Sequence, residues 1–247
     1  MSVRGASPTE LRGRAGRDPT RTLVAKAALG AALVCLTAVV ALALIVSFDP
    51  RSGIDIRFHL RLFDRNEPEL FEIAEDVVEK LGSRVGSLAL VLGVGAGWLV
   101  RRDARPGLLL ATAVTGTGAT AAVIKSIVGR VSPLHEAQGA SAGHAYPSAH
   151  SAAIVAVVGT LLLVITLATR KRRLWFTLAV VISALVVATM AAALMSHGYH
   201  WFTDIVGGVF TAGIWVCGLT FPAYVLWTDP KLSSVLGSVR SRPACRL

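Results

Sequence analysis

Two short stretches carry the residues that could do chemistry. One is His144 to Ser151, read H-A-Y-P-S-A-H-S; the other is Ser196 to Asp204, read S-H-G-Y-H-W-F-T-D. The chain has six histidines, His59, His135, His144, His150, His197 and His200, and four of them fall in these two pieces. Ser148 follows Pro147 where a helix can begin. Proline is tolerated there, and the free backbone N–H groups with the helix dipole make that end an anion site. Ala149 and His150 would share its first turn. His200 and Asp204 are four residues apart, so on a helix they would share a face, and the carboxylate could hold one ring nitrogen. A histidine oriented in this way is a candidate nucleophile or base. Lys125 and Arg130, from the loop before the Ser–His piece, would supply positive charge for a phosphoryl group. The chemistry expected is phosphate handling.

The elements that would position these residues are membrane helices. The 247-residue chain is 53% hydrophobic and only 16% charged, against about 25% charged in soluble domains. The charges are bunched between long apolar runs, an integral membrane composition. The expected fold is all-α, a polytopic bundle of six spans. The first runs from 23 to 48, the second from 85 to 100, the third from Gly107 to Ile124. The fourth starts at Pro147 or Ser148 and ends before Arg170; the fifth covers 174–195 and the sixth 205–227. Between the first two spans, Leu70, Ala74, Val77, Val78 and Leu81 repeat at helical spacing among acids, which predicts an amphipathic surface helix. Residues 1–22 read as a disordered basic tail, 23–227 as one membrane domain, and 228–247 as a second tail.

Six spans put both termini on one side. The N-terminal tail with Lys26, the 101–106 loop, the 170–173 loop and the C-terminal tail together hold 17 of the 25 Lys and Arg and four of the 15 acids. The positive-inside rule makes that side cytoplasmic and turns the histidine-bearing loops outward, in a protein of the cell membrane. Trp98, Trp175 and Trp227 would mark the inner interface, and Tyr199 and Trp201 the outer one. His135 and His144 read as ordinary loop residues. The formal charge of +10 is explained by topology; no basic helix face or base-stacking aromatics point to nucleic acid. Cys35, Cys217 and Cys245 form no pairing or zinc pattern.

Pro147-Ser148-Ala149-His150 and His200-Trp201-Phe202-Thr203-Asp204 resemble the second and third motifs of the type 2 phosphatidic acid phosphatase family, whose usual forms are P-S-G-H and S-R-x5-H-x3-D. Lys125 to Pro133, read K-S-I-V-G-R-V-S-P, resembles the first motif, K-x6-R-P. The resemblance covers residues 23–227. It implies that His200 attacks phosphorus to form a phosphohistidine, that Asp204 orients it, and that His150 protonates the leaving oxygen and then activates water. Lys125, Ser148, Ala149 and Arg130 would bind the phosphoryl oxygens, with neither metal nor cofactor. The substrate would be a lipid phosphate or diphosphate drawn from the bilayer, such as phosphatidate or an isoprenoid diphosphate.

The chain departs from the family pattern at its arginines. Ser132 and Leu194 stand at the arginine positions of the first and third motifs, Ala193 at the serine before the latter, and Ala149 at the glycine. The expectation is that Arg130 takes the place of one arginine and His197, when charged, part of the other. Arginine-poor third motifs also resemble lipid phosphotransferases such as inositol phosphorylceramide synthases, so transfer to an alcohol is a second reading. A non-catalytic lipid-binding relative is a third. A metal site drawn from His144, His150, His197, His200 and Asp204 is a fourth, although no spacing such as H-E-x-x-H accompanies it.

Overall fold

The computed structural model describes residues 19–62, 95, 103–168 and 172–229. Its elements are α1 (Pro19–Phe48), α2 (Gly53–Leu62), α3 (Arg105–Val128), α4 (Pro133–Ala137), α5 (Ala149–Ala168), α6 (Arg172–Ser196) and α7 (Phe202–Thr228). All are helices, and among the described residues there is no strand. Four of them, α1, α3, α5 and α7, are long and apolar enough to cross a membrane, and α6 carries a shorter apolar stretch from Val180 to Ser196. The expected second span at 85–100 and the amphipathic helix at 70–81 lie outside the described residues, apart from Gly95.

The helix limits follow local chemistry. The 30 residues of α1 give a rod of about 45 Å at 1.5 Å per residue. It stops at Phe48, because Pro50 disfavours helical geometry at Asp49. Pro106 lies in the first turn of α3, and Gly129 closes that helix in the left-handed region at φ 61°. The Gly129 N–H donates to the Lys125 carbonyl at 3.0 Å, and glycine adopts this cap without a Cβ penalty. The turn throws Arg130 back toward the bundle. In α4, Ser132 is the cap, with Pro133 behind it.

The apolar side chains point two ways. Ile154, Met190, Leu194, Met195 and Ile205 form one buried cluster between α5, α6 and α7. Leu109, Val164 and Ala223 form a second toward the other end. Leu29, Leu33, Val34, Val40, Leu44 and Ile45 on α1, and Val180, Val181, Ile182 and Leu185 on α6, face outward. Exposed apolar faces of this kind on long helices are what a bilayer solvates. The chain is an integral membrane protein.

Small residues bring the central helices together, as expected where lipid gives no hydrophobic drive between helices. The Gly116 position leaves room for the Trp215 ring, whose Nε1 donates to Thr120 Oγ1 at 3.0 Å. The tightest approach is at Gly208 on α7. A Cβ there would overlap Ser151 Oγ and the Ser148 carbonyl oxygen and meet Ala152 N at 3.2 Å. Ser151 Oγ donates to the Ser148 and Ile205 carbonyls, both at 3.1 Å, so α5 and α7 are locked where the two histidine motifs meet. Gly208→Ala should therefore lower stability by about 1–3 kcal/mol and reduce activity with it. Thermal unfolding in detergent of the variant beside the parent protein measures the first effect.

Candidate active site

The C-terminus of α3, the N-termini of α5 and α7 and the C-terminus of α6 converge at one end of the bundle. They enclose a cavity of about 730 Å³. Lys125, Ser132, His135, His144, Ala149, His150, Tyr199 and His200 line it, with Leu194 and the Ala142–Ala145 loop. Among the described residues, no Asp or Glu lines it. The first turn of α5 supplies Ala149 and His150 to the wall, and its N–H groups have no acceptor within the helix.

His150 and His200 face each other, with ring centroids 6.2 Å apart and planes at 69°. His200 is 8% exposed and Asp204 is fully buried. The expectation that these two share a helix face needs correction. His200 precedes α7; Trp201 is the N-cap. Asp204, at the third helical position, accepts from the Trp201 N–H at 2.9 Å, and the same Oδ2 lies 3.6 Å from His200 Nδ1. Proximity comes from the cap folding back on itself. The 3.6 Å gap is ion-pair distance, longer than a hydrogen bond.

Lys125 and His144 clasp each other. The lysine Nζ donates to the His144 carbonyl, and His144 Nδ1 lies 3.5 Å from the Lys125 carbonyl. Ser148 is fully buried beside the cavity and does not line it. Its N–H donates to the Asp204 carbonyl at 2.9 Å. Ser148 Oγ, His150 Nδ1 and His200 Nδ1 are buried atoms without a hydrogen-bond partner among the described residues. Three such atoms in one region are the signature of a site that awaits a polar ligand.

Arg130 departs from the expectation. It is 4% exposed, does not line the cavity, and its guanidinium donates entirely to protein. Nε and Nη2 reach the Pro50 carbonyl at 3.2 and 2.6 Å. Nη1 reaches Thr203 Oγ1 and Asp204 Oδ1, both at 2.6 Å, and Nη2 also reaches Asp55 Oδ2 at 2.7 Å. The group has five N–H donors, and these five contacts use them. The reason is electrostatic: two buried carboxylates compete for the cation at close range. His197 also lies off the cavity; it is exposed, its ring stacks on Tyr199 at 5.7 Å and its Nδ1 lies 3.0 Å from the Ala193 carbonyl.

Asp55 is the member of this network that sequence reading missed. It is fully buried on α2. Its Oδ2 accepts from Arg130, from Thr203 Oγ1 at 2.8 Å and from Ser52 Oγ at 2.8 Å, and its Oδ1 accepts from the Thr203 N–H at 2.9 Å. The Ser52-x-x-Asp55 spacing is a capping signal that marks a helix start. Trp201 also differs from the interface anchor expected of it. It is buried, its Nε1 donates to the Val131 carbonyl at 2.9 Å, and Arg130 Cζ lies 5.5 Å from its ring. Tyr146 ties the loop before α5 to α1 through its OH on the Val39 carbonyl at 2.8 Å. Burial, and next the Asp204 charge, push that phenol up from its ordinary pKa. His59 packs 5.5 Å from Trp201, and burial lowers its pKa.

Among the described residues, no group of three or more His, Cys, Asp or Glu is arranged to hold a metal. Of the histidines weighed for such a site, His197 is turned away. Asp204 is taken by Arg130 and the α7 cap. Removing one partner of a buried ion pair leaves a charge without compensation. Asp55→Ala should cost roughly 3 kcal/mol of stability, read from chemical unfolding in detergent, and more than Asp55→Asn, which keeps the hydrogen bonds to Thr203 and Ser52 within reach.

Comparison with known proteins agrees with this architecture. The profile of the PAP2 superfamily matches residues 106–228. The fold is similar to that of a transmembrane PAP2-type phosphatidylglycerolphosphate phosphatase from Bacillus subtilis, with a TM-score of 0.66 and 18% identity, covering 81% of this chain and 98% of that one. No curated protein matches the sequence. The matched segment contains Lys125, Ser148, His150, His200 and Asp204, the residues that converge at one end of the bundle, and the chain belongs to the PAP2 superfamily.

Proposed function

We propose that the protein is a metal-independent lipid phosphatase that hydrolyses a phosphomonoester or diphosphate at the outer membrane face through a phosphohistidine. The observation that carries this is the opposition of His150 and His200 across one cavity, 6.2 Å apart, with Lys125 on the same wall. One ring can attack a phosphorus placed between them while the other serves the leaving oxygen.

In the first step His200 Nε2 forms the bond to phosphorus. The P–O bond to the lipid breaks, and His150 gives its proton to the departing alkoxide or phosphate oxygen. In the second step water attacks phosphorus, His150 takes the water's proton, and the P–N bond breaks to release phosphate and His200. The ring of His200 becomes cationic as its bond to phosphorus forms. Asp204, 3.6 Å from Nδ1, stabilises that charge and fixes which nitrogen is free to attack. Asp55 and Asp204 share the single positive charge of Arg130. The network therefore retains negative character toward His200, and Arg130 acts as a positioning residue for Asp204. Lys125, the Ala149–His150 turn and the Ser148 hydroxyl, which lacks a partner among the described residues, would hold the phosphoryl oxygens.

The outward face rests on the charge bias of the loops. Lys125 and the histidines sit at the end of the bundle opposite Arg105, whose Nη1 donates to the Leu226 carbonyl at 3.1 Å. Arg21 pairs with Asp229 at 3.8 Å at that same basic end.

With a lipid phosphate or diphosphate in detergent and a chelator present, the protein should release phosphate. His200→Ala should lower the rate by at least about 10³-fold, the scale seen when a catalytic nucleophile is removed. A parallel reaction with inositol as acceptor separates the alternatives: an inositol phosphomonoester in place of free phosphate would establish transfer. Absence of turnover in all arms, while a family member turns over the same lipids, would contradict the proposal.

A further inference from the structure

The cavity's charge balance leaves a deficit. A phosphate monoester brings close to two negative charges. Among the described residues Lys125 is the one Lys or Arg lining the cavity, and part of its donor capacity goes to the His144 carbonyl. Arg130 has its donors committed to Asp55, Asp204, Thr203 and the Pro50 carbonyl. The positive charge the dianion lacks has to come from other lining groups.

Two side chains fit this need. His135 and His144 both line the cavity and both are exposed on its rim. His135 is held by Ser132, whose Oγ lies 2.7 Å from Nδ1, which leaves Nε2 as the ring atom for a ligand. His144 is held against α3 by its contacts with Lys125. We infer that His135 and His144 are anion-binding residues that capture the substrate's phosphoryl group as imidazolium ions, so that binding of the phosphorylated substrate takes up protons. The inference rests on the reading of this cavity as a phosphoryl site.

Several polar and charged groups surround the two rings. Lys125 faces them from α3, His150 from α5, and Tyr199 and His200 from the turn before α7. Glu136, beside His135 on α4, is taken by Arg51, and Asp204 is taken by Arg130. With no free carboxylate among the described residues that line the cavity, the ligand itself is the counter-ion. Imidazoles change charge between about pH 5 and 8. By linkage, a dianion that prefers protonated rings binds more tightly at the acid end of that range. Two permanent arginines at these places would give binding that ignores pH in this window.

Sulfate is a suitable probe, because it stays a tetrahedral dianion across the range and cannot be hydrolysed. Equilibrium dialysis of labelled sulfate against the full-length protein in detergent, at pH 5.5 and pH 8, reads the effect. Affinity should fall at least about tenfold from acid to base, the scale of one charge-assisted contact. The double variant His135→Gln, His144→Gln should bind about tenfold more weakly at pH 5.5 and lose most of the pH dependence. His135→Lys should restore tight binding at pH 8. With a lipid phosphate as substrate, the double variant should raise KM and leave kcat nearly unchanged. Double-variant affinity equal to that of the parent at pH 5.5, or an unaltered pH slope, would overturn the inference. A fall in kcat at constant KM would overturn it too. Sulfate binding with the expected behaviour in a protein that hydrolyses no lipid would sink the phosphatase reading and leave this one standing.

Discussion

A single buried guanidinium organises the working end of this protein. Arg130 sits where α3 has just been closed by Gly129, and it joins α2 through Asp55, the α1–α2 link through the Pro50 carbonyl, and α7 through Thr203 and Asp204. Burying a charge costs several kcal/mol unless every polar atom is met. The site meets that demand by bringing carboxylates from segments far apart in sequence onto one cation. The consequence is geometric. Asp204 cannot move without breaking its bond to Arg130 and its bond to the Trp201 N–H, and so the carboxylate beside His200 is fixed before any substrate arrives. Preorganisation of this kind is what electrostatic catalysis requires.

The same constraint decides what is left for the ligand. Because Arg130 is spent on structure, Lys125 and the imidazoles of His135, His144, His150 and His200 are the basic side chains lining the cavity among the described residues. The bundle holds those rings in place by close helix contact. Gly208 admits the start of α5, and Ser151 bonds across to the Ile205 carbonyl. His150 on α5 is thereby held opposite His200, which precedes α7. Packing between the first turns of α5 and α7 thus sets the distance between the two histidines, and that distance sets which atoms can meet a phosphorus.

Much of this was legible in the sequence, and the reasons for the rest are physical. The long helices α1, α3, α5, α6 and α7 lie within a few residues of the apolar runs, since a span must satisfy every backbone group within itself; the short α2 and α4 were not expected. Lys125, Ser148, His150, His200 and Asp204 were marked by spacing, and all lie in or beside one cavity. Arg130 was marked by its charge, but its fate was hidden, because Asp55 lies 75 residues earlier in a stretch that reads only as mixed. The capping pattern Ser52 to Asp55 was the available signal. His135 and His144 carried no periodicity and no partner in sequence; only the folding of the 129–147 loop over the cavity brings them into its wall. Trp201 read as an interface residue because aromatic side chains near a span usually are, whereas here a backbone carbonyl and a cation draw it inward. The relation of His200 to Asp204 was right in proximity and wrong in cause, since a cap brings together what a helix face would also have brought together.

The central claim is that His200 becomes covalently phosphorylated while Asp204, held by Arg130, supports it. The most direct measurement is rapid acid-free quenching of the His150→Ala protein with p-nitrophenyl phosphate, followed by mass spectrometry of the peptide that contains His200. Loss of His150 should slow hydrolysis of the intermediate more than its formation when the leaving group is a good one such as p-nitrophenol, so a phosphoryl adduct on the His200 ring is the result expected. Turnover of that substrate by the parent protein without any adduct on His200 under these conditions, or an adduct on another residue, would contradict the account.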